Sequence, residues 1–110
     1  MRPDQWPSDL TVQDVARSTG GFSGWHSHPG ITVVVVASGE VTISREKVTG
    51  GKCRVQTYKT GDVFVEFPGD ENQANNYGTV PVVVAVTFFN VPHLGSTRID
   101  RTAPLNCPAP

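Results

Sequence analysis

The 110-residue sequence predicts an all-β fold, a sandwich or barrel of two antiparallel sheets. Three observations lead there. Turn-forming pairs recur at short intervals, among them Gly20-Gly21, Pro29-Gly30, Ser38-Gly39, Thr60-Gly61, Pro68-Gly69 and Tyr77-Gly78. The runs between them are rich in Val, Ile, Thr, Phe and Tyr, residues that suit a pleated, half-buried surface. No helix-length periodic stretch interrupts the series.

The strands follow from that punctuation. Thr11 to Val15 precedes the first glycine pair, and Gly21 to His28 runs from it to Pro29-Gly30. Thr32 to Ala37 and Glu40 to Ser44 flank Ser38-Gly39, while Arg54 to Tyr58 and Asp62 to Glu66 flank Thr60-Gly61. Asn72 to Asn76 follows the Pro68-Gly69-Asp70 turn, and Val82 to Phe89 follows Pro81. Val33 to Val36 and Val82 to Val86 are apolar without alternation, which fits strands covered on both faces. The chain is one domain, residues 1–110, with a barrel core over about 10–90 and extended, proline-bearing N- and C-terminal arms. Trp6 and Cys107 anchor those arms.

Composition narrows the function classes. A net charge of -1 and a pI near 6.2 favour neither nucleic acid nor an anionic membrane surface as partner. No apolar run is long enough for a transmembrane helix, and Met1 to Trp6 lacks the apolar centre of a signal peptide. Phosphate-binding glycine loops, a Gly-x-Ser-x-Gly elbow and Cys-x-x-Cys pairs do not occur.

The chemistry-bearing feature is His26-Ser27-His28. Residues two apart on a strand face the same way, so two imidazoles would stand side by side in one cavity, a metal-site geometry. Two histidines alone bind weakly, because zinc or non-haem iron takes three or four protein ligands. Asp70 and Asn72 are also two apart and could complete the set with a carboxylate and an amide oxygen. Asp70 also reads as the side-chain hydrogen-bonding residue of the Pro68-Gly69-Asp70 turn, and Asn72 as a plain cavity hydrogen-bonding group. Glu66 is either a cavity acid or an end-of-strand charge. Gln73 and Glu71 have the opposite parity to Asn72 and face away from the cavity. Thr32 shares the histidines' side if the strand is unbroken. Asn76 caps the turn into Tyr77-Gly78, His93 between Pro92 and Leu94 is exposed, and the aromatic residues, Phe67 and Phe89 included, are first of all core.

Gly24 to Gly30 with Val33 to Val36 and Ser38 to Val41, and Gly61 through Pro68-Gly69 to Asn76, resemble the two motifs of the cupin superfamily. More narrowly the chain is similar to small single-domain, Cys-paired cupins of bacterial origin, of the cupin-2 type. The resemblance implies a small jelly roll and a metal held by two histidines and a glutamate from the first motif and a third histidine from the second. The sequence departs twice: Thr32 stands at the glutamate position and Asn72 at the last histidine position. A degenerate, weak or absent site for Zn, Fe, Mn or Ni is therefore expected at His26, His28, Asn72 and Asp70. The resemblance favours pairing of Cys53 with Cys107, the alternative being two unlinked thiols. A disulfide would favour a secreted or cell-envelope protein, and free thiols a cytoplasmic one. Cupins span dioxygenases, isomerases, epimerases, small-ligand binders and storage proteins, so fold does not fix function. Two readings stand: a module binding a small polar ligand, and a metal-dependent enzyme acting on one. Similar cupins often dimerise, and the two valine runs exceed what one small barrel buries, so a homodimer is expected.

Overall fold

The computed structural model describes residues 8–18, 20–46, 53–92, 96, 98–104 and 107. Every element among them is a strand. Strands β1 (Ser8–Arg17), β8 (Val82–Pro92), β3 (Thr32–Ser38) and β6 (Val63–Glu66) form a four-stranded sheet in that order. Strands β5 (Arg54–Lys59), β4 (Glu40–Glu46), β7 (Glu71–Asn75), β2 (His26–Ser27) and β9 (Ile99–Asp100) form a five-stranded one. All pairings are antiparallel, and the two sheets face each other as a jelly roll.

The turns that the sequence announces carry the chain from one sheet to the other. Between β3 and β4 the whole crossing is Gly39, with φ of 77°. A Cβ at that position would stand 2.6 Å from the Pro81 carbonyl oxygen, so only glycine fits both the dihedral and the space. The step from β5 to β6 closes with Lys59 N–H donating to Asp62 Oδ2 at 2.8 Å. The step from β6 to β7 is the turn over Phe67 to Asp70, in which Asp70 N–H donates to the Phe67 carbonyl.

Pleating sorts the valine runs by face. Val34 and Val36 point inward and are buried, with Phe64, Val82, Val86 and Phe88 beside them and Val41 and Ile43 opposite. Val35 and Val63, which pair across β3 and β6, point outward and are 39% and 58% exposed. The outer face of the four-stranded sheet is thus open at β3 and β6 in the single chain, whereas the unbroken valine run predicts cover on both faces. Phe67 and Phe89 lie outside the core as well, at 56% and 40% exposure. Their outward direction follows from alternation with Glu66 and Phe88, which point in.

Two other expectations change. Gly21 to His28 is not a continuous strand: only Phe22 bridges to Asn75, and ladder pairing begins at His26. Gly24, at φ 75°, turns the chain out of the extended path just before the histidines. Beyond β8 the chain adds β9, which pairs with β2 through His26 with Asp100 and Ser27 with Ile99. Cys53 and Cys107 form a disulfide with Cα atoms 5.0 Å apart, so the pairing that the resemblance favours is present. No helix among the described residues is long and apolar enough to cross a membrane. Trp6 and His93 lie outside the described residues.

Closing a loop across 54 positions contributes about 4 kcal/mol in the chain-entropy model. Replacing both cysteines by serine should lower the unfolding free energy by about that much, read from urea midpoints at unchanged slope. Phe64, buried and stacked on Tyr58 at 4.2 Å between ring centroids, anchors the core. Phe64→Ala should cost about 3–5 kcal/mol in the same assay.

Candidate metal centre

The site is built where β2 ends and β6 ends, one strand from each sheet. His26 and His28 are buried with ring centroids 4.7 Å apart, as their spacing predicts. His26 Nδ1 donates to the Gly24 carbonyl at 2.9 Å. A carbonyl only accepts, so that bond places the ring proton on Nδ1 and leaves the Nε2 lone pair free for an ion. The bend at Gly24 is what brings this carbonyl back to the ring two residues on. Burial pushes the His26 pKa below the ordinary histidine value, with His28 and Arg98 adding to the effect. A neutral imidazole is the form that ligates.

Glu66 is the residue that sequence reasoning left between two roles. It is buried, and its Oε1 accepts from His28 Nε2 at 3.0 Å. The register of β3 with β6 sets it directly opposite Thr32, the position where the resemblance expects a glutamate. Opposed residues share a face, so a carboxylate at either position enters the barrel at nearly the same place. Thr32 itself is buried, with its hydroxyl donating to the Gly30 carbonyl at 3.3 Å. The carboxylate missing from β3 is supplied by the facing strand.

One ligand atom from each of His26, His28 and Glu66 lies within 4.8 Å of the others. Two ligand atoms about 2.1 Å from an ion and at right angles stand about 3.0 Å apart. That is the separation of His28 Nε2 from Glu66 Oε1. The three groups could therefore hold a divalent ion, and two histidines with one carboxylate make a set that leaves open positions.

Asn72 pairs directly with His26 across β2 and β7, so both project from the same face. It is buried, its Nδ2 donates to the Asp70 carbonyl at 3.0 Å, and its Oδ1 has no hydrogen-bond partner. Asp70 is half-buried in the turn before β7, and with Asn72, Arg45 and Glu66 it lines a second, smaller cavity. Asn72 is thus presented beside the histidines by register, whereas Asp70 stands with the turn. Gln73 points away from the histidines as its parity requires, yet is buried. Asn76 does cap its turn, accepting from Gly78 N–H at 3.0 Å and donating to the Val80 carbonyl at 2.9 Å.

The three donors open on a cavity of about 170 Å³. Its body is aliphatic and aromatic, with Val34, Ile43, Val86 and Phe88 among the walls. Its other polar groups are Ser23 and Arg98, and Arg98 comes from the approach to β9, a segment in which the sequence showed no functional signal.

No protein-family model matches the chain, and no curated protein matches it. Among solved structures it is similar to oxalate oxidase in complex with glycolate, at 24% identity and TM-score 0.68 over 74% of this chain and 41% of that one. It is similar to the Lactobacillus farciminis oxalate decarboxylase formate complex, at 19% identity and TM-score 0.73 over 84% of this chain and 27% of that one. A third is the Drosophila melanogaster CENP-C cupin domain, at 13% identity and TM-score 0.64 over 68% and 57% of the two chains. This chain spans about two-fifths of the oxalate oxidase and about a quarter of the oxalate decarboxylase. At such identities the likeness is one of fold, and the two sheets, their order and these neighbours agree: the chain is a cupin-fold jelly roll.

Proposed function

We propose that the chain holds one divalent metal ion through His26, His28 and Glu66 and binds a small molecule at the positions left open. The observation that carries this reading is three buried donors of metal-ligand type brought together at one cavity from two sheets. A bound ion would supply Lewis acidity or redox chemistry at the cavity head. Two of the fold neighbours are named for reactions of oxalate, which supports an enzymic use of such a scaffold, of dioxygenase or isomerase type. A second reading, a metal-free binding module, is favoured by the hydrogen bond between His28 and Glu66, which satisfies both side chains without an ion.

Elemental analysis of untagged protein purified without chelator separates the two. Near-stoichiometric iron, manganese, nickel or zinc is expected, and less than about a tenth of an equivalent after reloading would overturn the metal reading. Glu66→Gln should weaken zinc binding by at least about tenfold, about 1.4 kcal/mol. Asn72→His places an imidazole across from His26 and should strengthen it by at least as much, with His26→Ala abolishing the gain. An unchanged affinity in Asn72→His would put that position out of ligand reach.

His26 also sets a pH dependence. Its folded pKa is depressed by burial, so the unfolded chain takes up its proton first, at about pH 6.5. Stability of the metal-free protein should fall as pH drops through that value and stop falling, on this account, once the folded ring is protonated too. Urea melts at pH 7.5 and 5.5 read the loss, and His26→Gln should flatten it.

The disulfide goes with an oxidising compartment, which supports a secreted or cell-envelope location. We also propose a homodimer through the open outer face, where Ile31, Val35 and Val63 are exposed. Sedimentation at micromolar concentration should show twice 11.8 kDa, and a monomer alone would overturn it.

A further inference from the structure

The cavity below the histidines is two-sided in its chemistry. Beyond the three donors its walls are aliphatic and aromatic, and the charged group added at its polar end is Arg98. Arg98 Nε donates to Asp100 Oδ1 at 2.8 Å, and one Nη2 hydrogen goes to the Ser23 carbonyl at 3.0 Å. Those two bonds fix the plane of the guanidinium. They leave both Nη1 hydrogens and the second Nη2 hydrogen without a partner among the described residues, and a guanidinium carries five donors in a fixed fork. Water reaches both partners of this ion pair, with the Asp100 side chain 85% and the Arg98 side chain 37% exposed, so the pair is screened and the remaining guanidinium hydrogens stand at the cavity mouth.

The charges decide what such a cavity takes. On the metal reading proposed above, two neutral imidazoles and one carboxylate leave a divalent ion with a net charge of about +1. Arg98 adds a second positive charge at the same end. A cation is repelled there, and a neutral molecule leaves the guanidinium hydrogens unmatched. A carboxylate answers both, because it accepts from a guanidinium in bidentate fashion and ligates hard or borderline ions. The rest of the ligand must be apolar and short. A space of about 170 Å³ is small for a ligand pocket and suits a short chain.

We infer that the cavity binds a short-chain aliphatic monocarboxylate, its carboxylate between Arg98 and the His26–His28–Glu66 centre and its chain among Val34, Val86 and Phe88. Arg98 is the residue that selects the acid, and β9 is the strand that delivers it. This rests on the metal reading for part of the charge, but the role of Arg98 is separable from it.

The test uses the full chain, stripped of metal and then loaded with Co(II), whose visible absorption reports occupancy. Butyrate, butyramide and butylamine are titrated by calorimetry into both forms. Butyrate should bind at least tenfold more tightly than butyramide, with butylamine weakest, and affinity should rise about fourfold per methylene from acetate to butyrate. Arg98→Gln should reduce the preference for butyrate over butyramide at least tenfold with cobalt uptake unchanged, and Arg98→Lys should restore part of it. Equal binding of butyrate and butyramide, or a preference untouched in Arg98→Gln, would overturn the inference. Failure of the wild-type protein to take up cobalt would overturn the metal reading alone, and the acid preference of that metal-free protein would still decide the role of Arg98.

Discussion

Glu66 is a carboxylate enclosed among valines and phenylalanines, and the hydrogen bond from His28 is what makes that position tenable. A charge taken out of water loses hydration worth several kcal/mol unless a partner replaces it. Here the partner stands on the opposite sheet: His28 follows β2, and Glu66 ends β6. The contact therefore does more than satisfy two side chains. It joins the sheets at their polar end, where Phe88 also packs on the His28 ring at 5.4 Å between centroids, and the Gly69 N–H to His28 carbonyl bond at 3.3 Å reinforces the same junction. The same pair of atoms latches the sheets together and belongs to the group that could hold a metal ion.

This arrangement separates the barrel along its length. Among the described side chains, inward positions of β3, β6 and β8 are apolar at Val36, Phe64 and Val86, and turn polar at Thr32 and Glu66. A strand that presents a carboxylate at its last inward position keeps the preceding inward residues available for packing. Core and chemistry are thus built from the same alternation and do not compete for the same residues.

How much of this was legible in the sequence depends on the distance over which each feature is determined. Parity is local, so the shared face of His26 and His28 and the opposite facing of Gln73 could be read directly. Turn chemistry is local too, and it fixed most strand limits and the Asn76 cap. Glu66 was not resolvable in the same way. Its role depends on which residue of β3 it opposes, a register between segments more than thirty positions apart that no local pattern encodes. Arg98 was hidden for the same reason, since nothing near it in sequence shows that Ile99 and Asp100 return to pair with β2. Gln73 shows the limit of parity itself: alternation gives direction, but the covering of an outer face is a tertiary matter.

The strand order of the larger sheet has a bearing on how the protein is made. His26 lies between β7 and β9, and β9 begins about seventy residues further along the chain. At about 5–20 residues per second on the ribosome, β2 waits about 4–15 s for that neighbour. During the wait its backbone on that side is an unpaired edge, open to any extended segment within reach. Cys53, just ahead of β5, and Cys107, just past β9, then tie together the two outermost strands of the same sheet. The bond acts as a seal on the last step of assembly, and the interval before it forms is when this chain is most exposed to the wrong partner.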